Sequence, residues 1–179
     1  AGTMQPAQQA ALVDALDTLG MLPLHIPDAP SRSVATLRMM SETTYADLLG
    51  GPPEVIVIDT ADALAKQGES LYEVGTRHAD ALEAWAHQSG ALVLVCKQLN
   101  RNAANTQPAL RDLRDSGAWE EKADAVFALH RPGLMMTPAE RKAAGDAAAH
   151  TGLLALKNRW GEVGALALYW DVERGPAYM

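Results

Sequence analysis

The sequence predicts an α/β fold in which helices cover a mostly parallel central sheet. Two short apolar runs, Val55 to Ile58 and Ala91 to Cys96, have the length and the β-branched content of strands buried on both faces. Segments with helical periodicity precede, separate and follow these runs, an alternation typical of layered α/β domains. The chain of 179 residues is long enough for one such domain with a substantial core.

The N-terminal part is predicted to hold two helices and a strand. Leucines recur at helical spacing between Pro6 and Leu19, and Gly20 follows as a stop signal. Leu22 to Ile26 is apolar and is predicted to be a short strand. A proline-rich turn comes next, after which Ser31 or Ser33 can cap a helix that runs to about Thr43.

The central part predicts polar groups at the ends of both buried strands. Val55 to Ile58 ends in Asp59, and the strand Ala91 to Cys96 is followed by Lys97 and Gln98. Between the strands, apolar side chains fall on one face of a helix from residue 70 to 88. Functional groups in such folds lie at the carboxyl ends of the strands, so these side chains are candidates for chemistry.

The C-terminal part predicts a loop, a third strand, a helix and a hairpin. Asn100 to Pro108 is polar and predicts a loop, and Asp124 to His130 predicts a strand. A capping box predicts an exposed helix from Thr137 to about Ala149. Leu153 to Lys157 and Val163 to Trp170 are predicted to form a β-hairpin.

The net charge and the amino-acid composition limit the classes of protein to which this chain can belong. The net charge of −7 excludes nonspecific attraction of nucleic acid by the whole surface, so any such contact needs a local basic patch. The single cysteine, Cys96, suits a reducing compartment, and no apolar run is long enough to cross a bilayer. We therefore expect a cytoplasmic protein. Residues 1–3 precede Met4 and are interpreted as a cloning remnant, which leaves 4–179 as one unit.

Asp59 has two interpretations on sequence pattern alone. A buried strand that ends in an aspartate has the form of a Walker B element, whose carboxylate holds the water shell of a nucleotide-bound Mg²⁺. An aspartate after a strand is more often a turn residue or a helix cap. The sequence motifs elsewhere in the chain decide between these two interpretations of Asp59.

Four further blocks occur in a specific order. They are Lys-Gln-Leu-Asn-Arg at 97–101, Leu-Arg-Asp-Ser-Gly at 113–117, Asp-Ala-Val-Phe at 124–127 and Lys-Asn-Arg-Trp-Gly at 157–161. With these blocks the chain resembles the C-terminal motor domain of DnaB-type hexameric replicative DNA helicases, from Leu22 onward. The resemblance implies a RecA-like three-layer sandwich with a C-terminal β-hairpin.

The resemblance also implies an ATP site shared between subunits. Asp59 is then the Walker B carboxylate that holds Mg²⁺ through water, and Gln98 is the sensor of the γ-phosphate. Lys157 and Arg159 are inserted by the hairpin into a neighbouring subunit's site. A guanidinium suits this role because it can meet phosphate oxygens bidentately. The simpler alternative for the hairpin is an exposed turn with solvated basic residues.

Single-stranded DNA is the other partner that the resemblance implies. The residues that would face the central channel of a hexameric ring and contact DNA are Arg101, Arg111, Arg114, Ser116 and Gly117. Residues 102–107 carry no charge where the family has several basic residues, which favours a weaker grip on DNA. Lys97 departs from the small hydroxyl residue that is usual before the sensor glutamine, and Thr60 departs from the usual tyrosine.

Half of the implied active site is missing from the sequence. A phosphate-binding loop needs glycines followed by Lys and Ser or Thr, and no Gly-Lys dipeptide occurs. The family's catalytic glutamate and phosphate-loop strand are expected upstream. We therefore expect the isolated chain to lack ATPase activity. We also expect it to dimerise or swap strands through an exposed sheet edge, or to bind the missing segment from another chain. A noncatalytic binding or assembly module is the alternative, and another RecA-like ATPase is a weaker one.

Overall fold

The structure is a computed structural model that describes residues 4–27, 33–64, 70–100, 107–113, 117–145, 148, 150–171 and 175–178. Its α-helices are α1 Pro6–Gly20, α2 Val34–Met40, α3 Ala46–Leu49, α4 Leu71–Ser89, α5 Gly117–Lys122 and α6 Pro138–Ala144. Its strands are β1 Val55–Ile58, β2 Leu92–Val95, β3 Ala125–His130, β4 His150–Asn158, β5 Gly164–Asp171 and β6 Gly175–Tyr178. Helices and strands alternate, which confirms the α/β class.

The described strands form two sheets. Strands β1 and β2 pair in parallel, with Val55 opposite Leu92 and Ile58 opposite Val95. Strands β3, β4, β5 and β6 form an antiparallel sheet in that order. The predicted C-terminal hairpin is therefore present as β4 and β5. Strand β4 is longer than predicted, β5 is displaced by one residue from the predicted Val163 to Trp170, and β6 extends their sheet by a further strand.

The core lies where α2 and α4 cover one face of the parallel pair. Its buried members are Val34, Ile58, Leu64, Leu82 and Trp85. Helix α4 contributes a face of buried side chains at helical spacing, as the sequence predicts, and ends at Gly90 in the left-handed conformation (φ 70°). Trp85 is only 2% exposed, the lowest exposure in this cluster, and its large ring adds to the apolar area that α4 buries.

The opposite face of the parallel pair is exposed. Val55, Val57, Leu92 and Leu94 alternate with the core residues and are 49–61% exposed. The prediction that both strands are covered on both faces is thus wrong for the described residues, because α2 and α4 cover only one side. The uninterrupted apolar pattern of these strands nevertheless fits a sheet with two buried faces.

The segment before α2 differs from the prediction. Helix α1 forms as predicted, but none of its residues is buried, so its leucine stripe faces solvent. The predicted strand Leu22 to Ile26 is wrong, since this stretch is irregular and, apart from the half-buried His25, exposed. Pro23 has no amide to donate to a sheet, and the Leu24 amide instead donates to the Leu22 carbonyl at 2.7 Å.

Two helices end at other residues than predicted. The second helix continues past Thr43 through a π-helical turn, Ser41–Tyr45, into α3 and stops before the left-handed Gly50. Helix α6 starts with the predicted capping box but stops at Ala144 rather than Ala149. The cause is Gly145, whose φ of 53° and ψ of −131° leave the helical region. None of the described helices is long and apolar enough to span a membrane.

Candidate functional site

The carboxyl ends of β1 and β2 bring the candidate ATP-site residues to one edge. Asp59 directly follows β1, and Gln98 lies three residues beyond β2. The two chain segments stay paired past the strands, because the Cys96 amide donates to the Ile58 carbonyl and the Ala61 amide donates to the Cys96 carbonyl, both at 2.9 Å. The predicted juxtaposition of Asp59 and Gln98 at one sheet edge is therefore present.

The side chains of Asp59 and Gln98 face solvent. Both residues are exposed, and no ion pair or hydrogen bond to either side chain occurs within the described part of the chain. The carboxylate is thus free to accept from the water shell of a cation, and the amide is free to donate to a phosphate oxygen. Single carboxylates of this kind suit Mg²⁺, which keeps most of its water ligands.

Lys97 lies between these exposed residues and is mostly buried. Its ammonium forms an ion pair of 2.6 Å with Asp62, in the 3₁₀ turn Ala61–Leu64 that follows β1. The nitrogen also lies 5.7 Å from the centre of the Trp119 ring. Lys97 is therefore not a solvated residue at the end of the strand. Sequence reasoning missed Asp62, and the atypical lysine before the sensor glutamine was the one signal that pointed to it.

The segment that the resemblance assigns to DNA begins next to Gln98. Leu99 forms a β-bridge with Leu113, and the Asn100 amide donates to the Asp112 carbonyl at 2.8 Å. The Asp112 carboxylate in turn accepts from the Ala109 amide at 2.8 Å. These bonds close the base of the predicted loop one residue after the sensor position.

The predicted DNA contacts are only partly within the described residues. Arg111 is exposed on the 3₁₀ turn Leu110–Asp112, and Gly117 is exposed at the first position of α5. Arg101, Arg114 and Ser116 lie outside the described residues.

The two basic residues of the hairpin contact their own chain. Lys157 lies at the end of β4, and its ammonium donates to the carbonyls of Glu120 (2.6 Å) and Glu121 (3.1 Å) at the C-terminus of α5. Arg159 lies on the turn, where its guanidinium pairs with Asp124 at 2.6 Å and its amide donates to the Asp124 carbonyl at 2.8 Å. The Arg159 side chain is 38% exposed, so it can still be reached from outside.

Helix α5 links the two ends of the candidate site. Lys122 on α5 forms ion pairs with Glu83 (3.0 Å) and Asp80 (3.2 Å) on α4, and hydrogen bonds to these two carboxylates raise the pKa of its amine. Trp119 on α5 packs against the core cluster. By contrast, Trp160 on the hairpin turn is 83% exposed. Because α5 also contacts Lys157 of the hairpin and Lys97 after β2, this short helix connects the hairpin to the strand ends.

Metal-ligating clusters of three or more His, Cys, Asp or Glu side chains do not occur in the described part of the chain. His78 is buried on α4, and His87 is exposed near the end of the same helix. A cation held by Asp59 through water needs no such cluster.

Together, the parallel pair, the polar strand ends and the basic hairpin define a RecA-like ATPase fold. The chain is similar to a solved structure described as an ATPase domain, with a TM-score of 0.77 and 21% identity over 96% of this chain and 60% of that one. A second, described as a DnaB-like replicative helicase and its interactions with primase, gives a TM-score of 0.77 at 21% identity over 94% of this chain and 40% of that one.

The family model of the DnaB-like helicase C terminal domain matches residues 1–175, and the chain belongs to this family. A replicative DNA helicase DnaB of Rickettsia typhi is 27% identical over 87% of this chain and 34% of its own length. That of Leifsonia xyli subsp. xyli is 31% identical over 61% of this chain and 24% of its own length. The chain thus spans about a third or less of these relatives.

Proposed function

We propose that this chain is the distal part of the ATP-dependent motor of a cytoplasmic replicative DNA helicase, which unwinds duplex DNA by moving along a single strand. The observation that carries the proposal is the placement of the exposed Asp59 and Gln98 side chains at one sheet edge, directly before the bridged segment assigned to DNA. Membership of the replicative helicase family supports the same activity.

In this proposal ATP and Mg²⁺ bind at the ends of β1 and β2. The magnesium ion supplies charge neutralisation for the developing negative charge on the phosphates. Asp59 holds its water shell, and Gln98 donates to the γ-phosphate oxygens. The backbone bridge between Leu99 and Leu113 then connects the sensor to the segment that includes Arg111. ATP binding and DNA contact are coupled through that bridge.

Arg159 completes the site of a neighbouring copy in a ring. Its guanidinium would stabilise charge that develops on the transferred phosphoryl group. The ion pair with Asp124 holds it back within its own chain, but both partners are substantially exposed, so exchanging the carboxylate for a phosphate costs little. We assign Lys157 to the same interface, at the start of the turn that presents Arg159.

DNA binding is assigned to the segment between Gln98 and α5. Arg111 supplies positive charge on an exposed turn, and the exposed Gly117 amide lies at the start of a helix. Arg101, Arg114 and Ser116 belong to the same proposal on the basis of their sequence block alone. Contacts of this type bind phosphates without reading the sequence of bases.

Self-association of the isolated chain follows from the free edge of β2. Among the described strands, β2 pairs only with β1, and its outward side chains Leu92 and Leu94 are 61% and 49% exposed. An apolar strand with an unpaired edge favours dimerisation or strand exchange. Light scattering at high protein concentration tests this, and a strictly monomeric chain would contradict it.

A noncatalytic binding or assembly module is the second candidate. One observation favours it, namely the exposed apolar face of β1 and β2, which suits docking of another segment. Such a module would use the same surface without turning over ATP.

ATP hydrolysis with and without single-stranded DNA decides between these candidates. We would compare this chain with the natural protein that carries it together with its upstream sequence. The helicase proposal predicts turnover, stimulated by DNA, in the longer protein alone, and loss of turnover in Asp59→Asn or Gln98→Ala. If neither protein hydrolyses ATP, the helicase proposal fails and the module takes its place.

A further inference from the structure

We infer that Lys97 and Asp62 form a positioning pair that fixes the backbone of Gln98, the proposed γ-phosphate sensor. The inference rests on the proposed function only for the role of Gln98. The pair itself is observed, since the Lys97 ammonium and one Asp62 carboxylate oxygen lie 2.6 Å apart. The second carboxylate oxygen accepts from the Gln98 amide at 3.4 Å. Asp62 therefore contacts both the lysine side chain and the next residue's backbone.

Burial makes this ion pair different from those on the surface. The side chains of Lys97 and Asp62 are only 10% and 23% exposed, whereas those of Arg38 on α2 and Glu42 on the π-helical turn after it, in a pair of similar length, are 33% and 45% exposed. A charge that is largely removed from water needs its partner, and loss of one member leaves the other uncompensated. Separating Lys97 from Asp62 therefore costs more free energy than separating Arg38 from Glu42.

Trp119 limits where the lysine can go. The ammonium lies 5.7 Å from the indole ring centre, and the ring itself packs against the buried core. A cation over an aromatic face gains further electrostatic attraction. Lys97 is consequently held from two sides, by a carboxylate on the turn after β1 and by a ring on α5.

The pair also connects the two strand ends that carry the site. Asp62 lies on the turn that begins two residues after Asp59, and Lys97 directly precedes Gln98. Backbone pairing alone joins these segments only as far as the hydrogen bond between the Ala61 amide and the Cys96 carbonyl. The side-chain pair extends the connection to the sensor residue, so it sets the position of Gln98 relative to Asp59.

Hydrogen exchange of the Gln98 amide in this chain tests the inference. Lys97→Met keeps an apolar stem against Trp119 but removes the charge. After correction for the intrinsic rate of the new neighbour, it should accelerate Gln98 exchange roughly tenfold through local opening. Lys97→Arg keeps charge and ring contact and should stay within about twofold of the parent. Arg38→Ala breaks the exposed α2 pair and should leave Gln98 exchange unchanged.

Equal Gln98 exchange in Lys97→Met and in the parent would overturn the positioning role. The same variants in the longer natural protein then separate this role from the proposed function. We expect Lys97→Met to lower kcat for ATP with KM unchanged, and Lys97→Arg to restore it. If Gln98→Ala leaves hydrolysis intact while Lys97→Met still accelerates exchange, the sensor role fails and the positioning pair stands.

Discussion

The two ends of the candidate ATP site differ in what their functional side chains contact. At the strand ends, Asp59 and Gln98 point into solvent without partners in the described part of the chain, while the neighbouring Lys97 is anchored. On the hairpin, Lys157 and Arg159 both contact α5 or the segment after it. The strand ends are therefore ready to bind a ligand as they stand, whereas the hairpin must exchange a contact first.

The hairpin contacts themselves are of two kinds. Lys157 donates to two carbonyls at the end of α5, which are groups that a helix C-terminus leaves unsatisfied. Arg159 makes an exposed ion pair with Asp124, which contributes little to stability, and only a long hydrogen bond of 3.5 Å to the Glu121 carbonyl. This difference indicates that Lys157 stabilises the hairpin in its own chain, while Arg159 is the residue that can leave.

The largest expected effect comes from removing the arginine that can leave. In the longer natural protein, Arg159→Ala should lower kcat for ATP by about 10³-fold or more, the range measured for arginine fingers. Steady-state hydrolysis by the assembled protein gives the number. Arg141→Ala removes an exposed arginine on α6 and serves as the control, with kcat unchanged. A kcat for Arg159→Ala equal to that of the control would show that the Arg159 side chain has no part in ATP hydrolysis.

The next effect is on stability and should fall on Lys157. Lys157→Ala leaves two carbonyls of α5 without a charged donor and should lower the free energy of unfolding by about 1.5–3 kcal/mol. Arg159→Ala should lower it by less than about 1 kcal/mol, because its ion pair is exposed. Urea denaturation of this chain measures both. If Arg159→Ala lowers the free energy of unfolding more than Lys157→Ala does, Lys157 is not the more firmly held residue.

A smaller effect is expected from the partner of the arginine. Asp124→Asn removes the charge that holds Arg159 but keeps the backbone hydrogen bond from the Arg159 amide to the residue 124 carbonyl. The free energy of unfolding should change by less than about 1 kcal/mol, and the difference from the parent should shrink in high salt. Thermal unfolding at low and high ionic strength checks this. A loss of more than about 1 kcal/mol that does not depend on salt would show that the ion pair between Arg159 and Asp124 is needed to stabilise the fold.

The smallest effect is expected at Glu140 on α6, which lies outside both ends of the candidate site. Hydrogen bonds from the Thr137 side chain and backbone lower the pKa of Glu140, in the capping box of α6, below 4.5. Its stabilisation of α6 is therefore fully present above pH 4.5 and is lost as the pH falls through the lowered value. An NMR titration of the Glu140 carboxyl should show this shift, and Thr137→Ala should reduce it, because the side-chain donor is lost while the backbone amide of residue 137 still donates. Identical titrations in both proteins would refute the capping box.

The sequence alone predicted the strand ends well and their surroundings poorly. Asp59 and Gln98 could be placed because apolar runs locate β1 and β2, and parallel strands bring their carboxyl ends to one edge. The atypical Lys97 hinted at a partner, but an ion pair across 35 residues leaves no local pattern that identifies Asp62. The strand expected at Leu22 to Ile26 failed for a related reason, since an apolar run becomes a strand only when a partner accepts its hydrogen bonds.

The hairpin shows the same limit. Alternating apolar residues and a polar turn predicted β4 and β5, but not that Lys157 contacts α5. Whether a basic side chain is solvated or bonded depends on which carbonyls the fold brings near it, and sequence periodicity does not record that. The sequence blocks single out Lys157 and Arg159 as candidate site residues, and their contacts distinguish the more firmly held Lys157 from the more exposed Arg159.

Subunit mixing tests the central claim that the ATP site is shared between copies. In the longer natural protein, Asp59→Ala and Arg159→Ala should each abolish hydrolysis. When the two variants are mixed, about a quarter of the head-to-tail interfaces pair an intact Asp59 with an intact Arg159, so activity should return to a corresponding fraction. If the mixture stays as inactive as its components, Arg159 does not act on a neighbour's site, and the account of the hairpin is wrong.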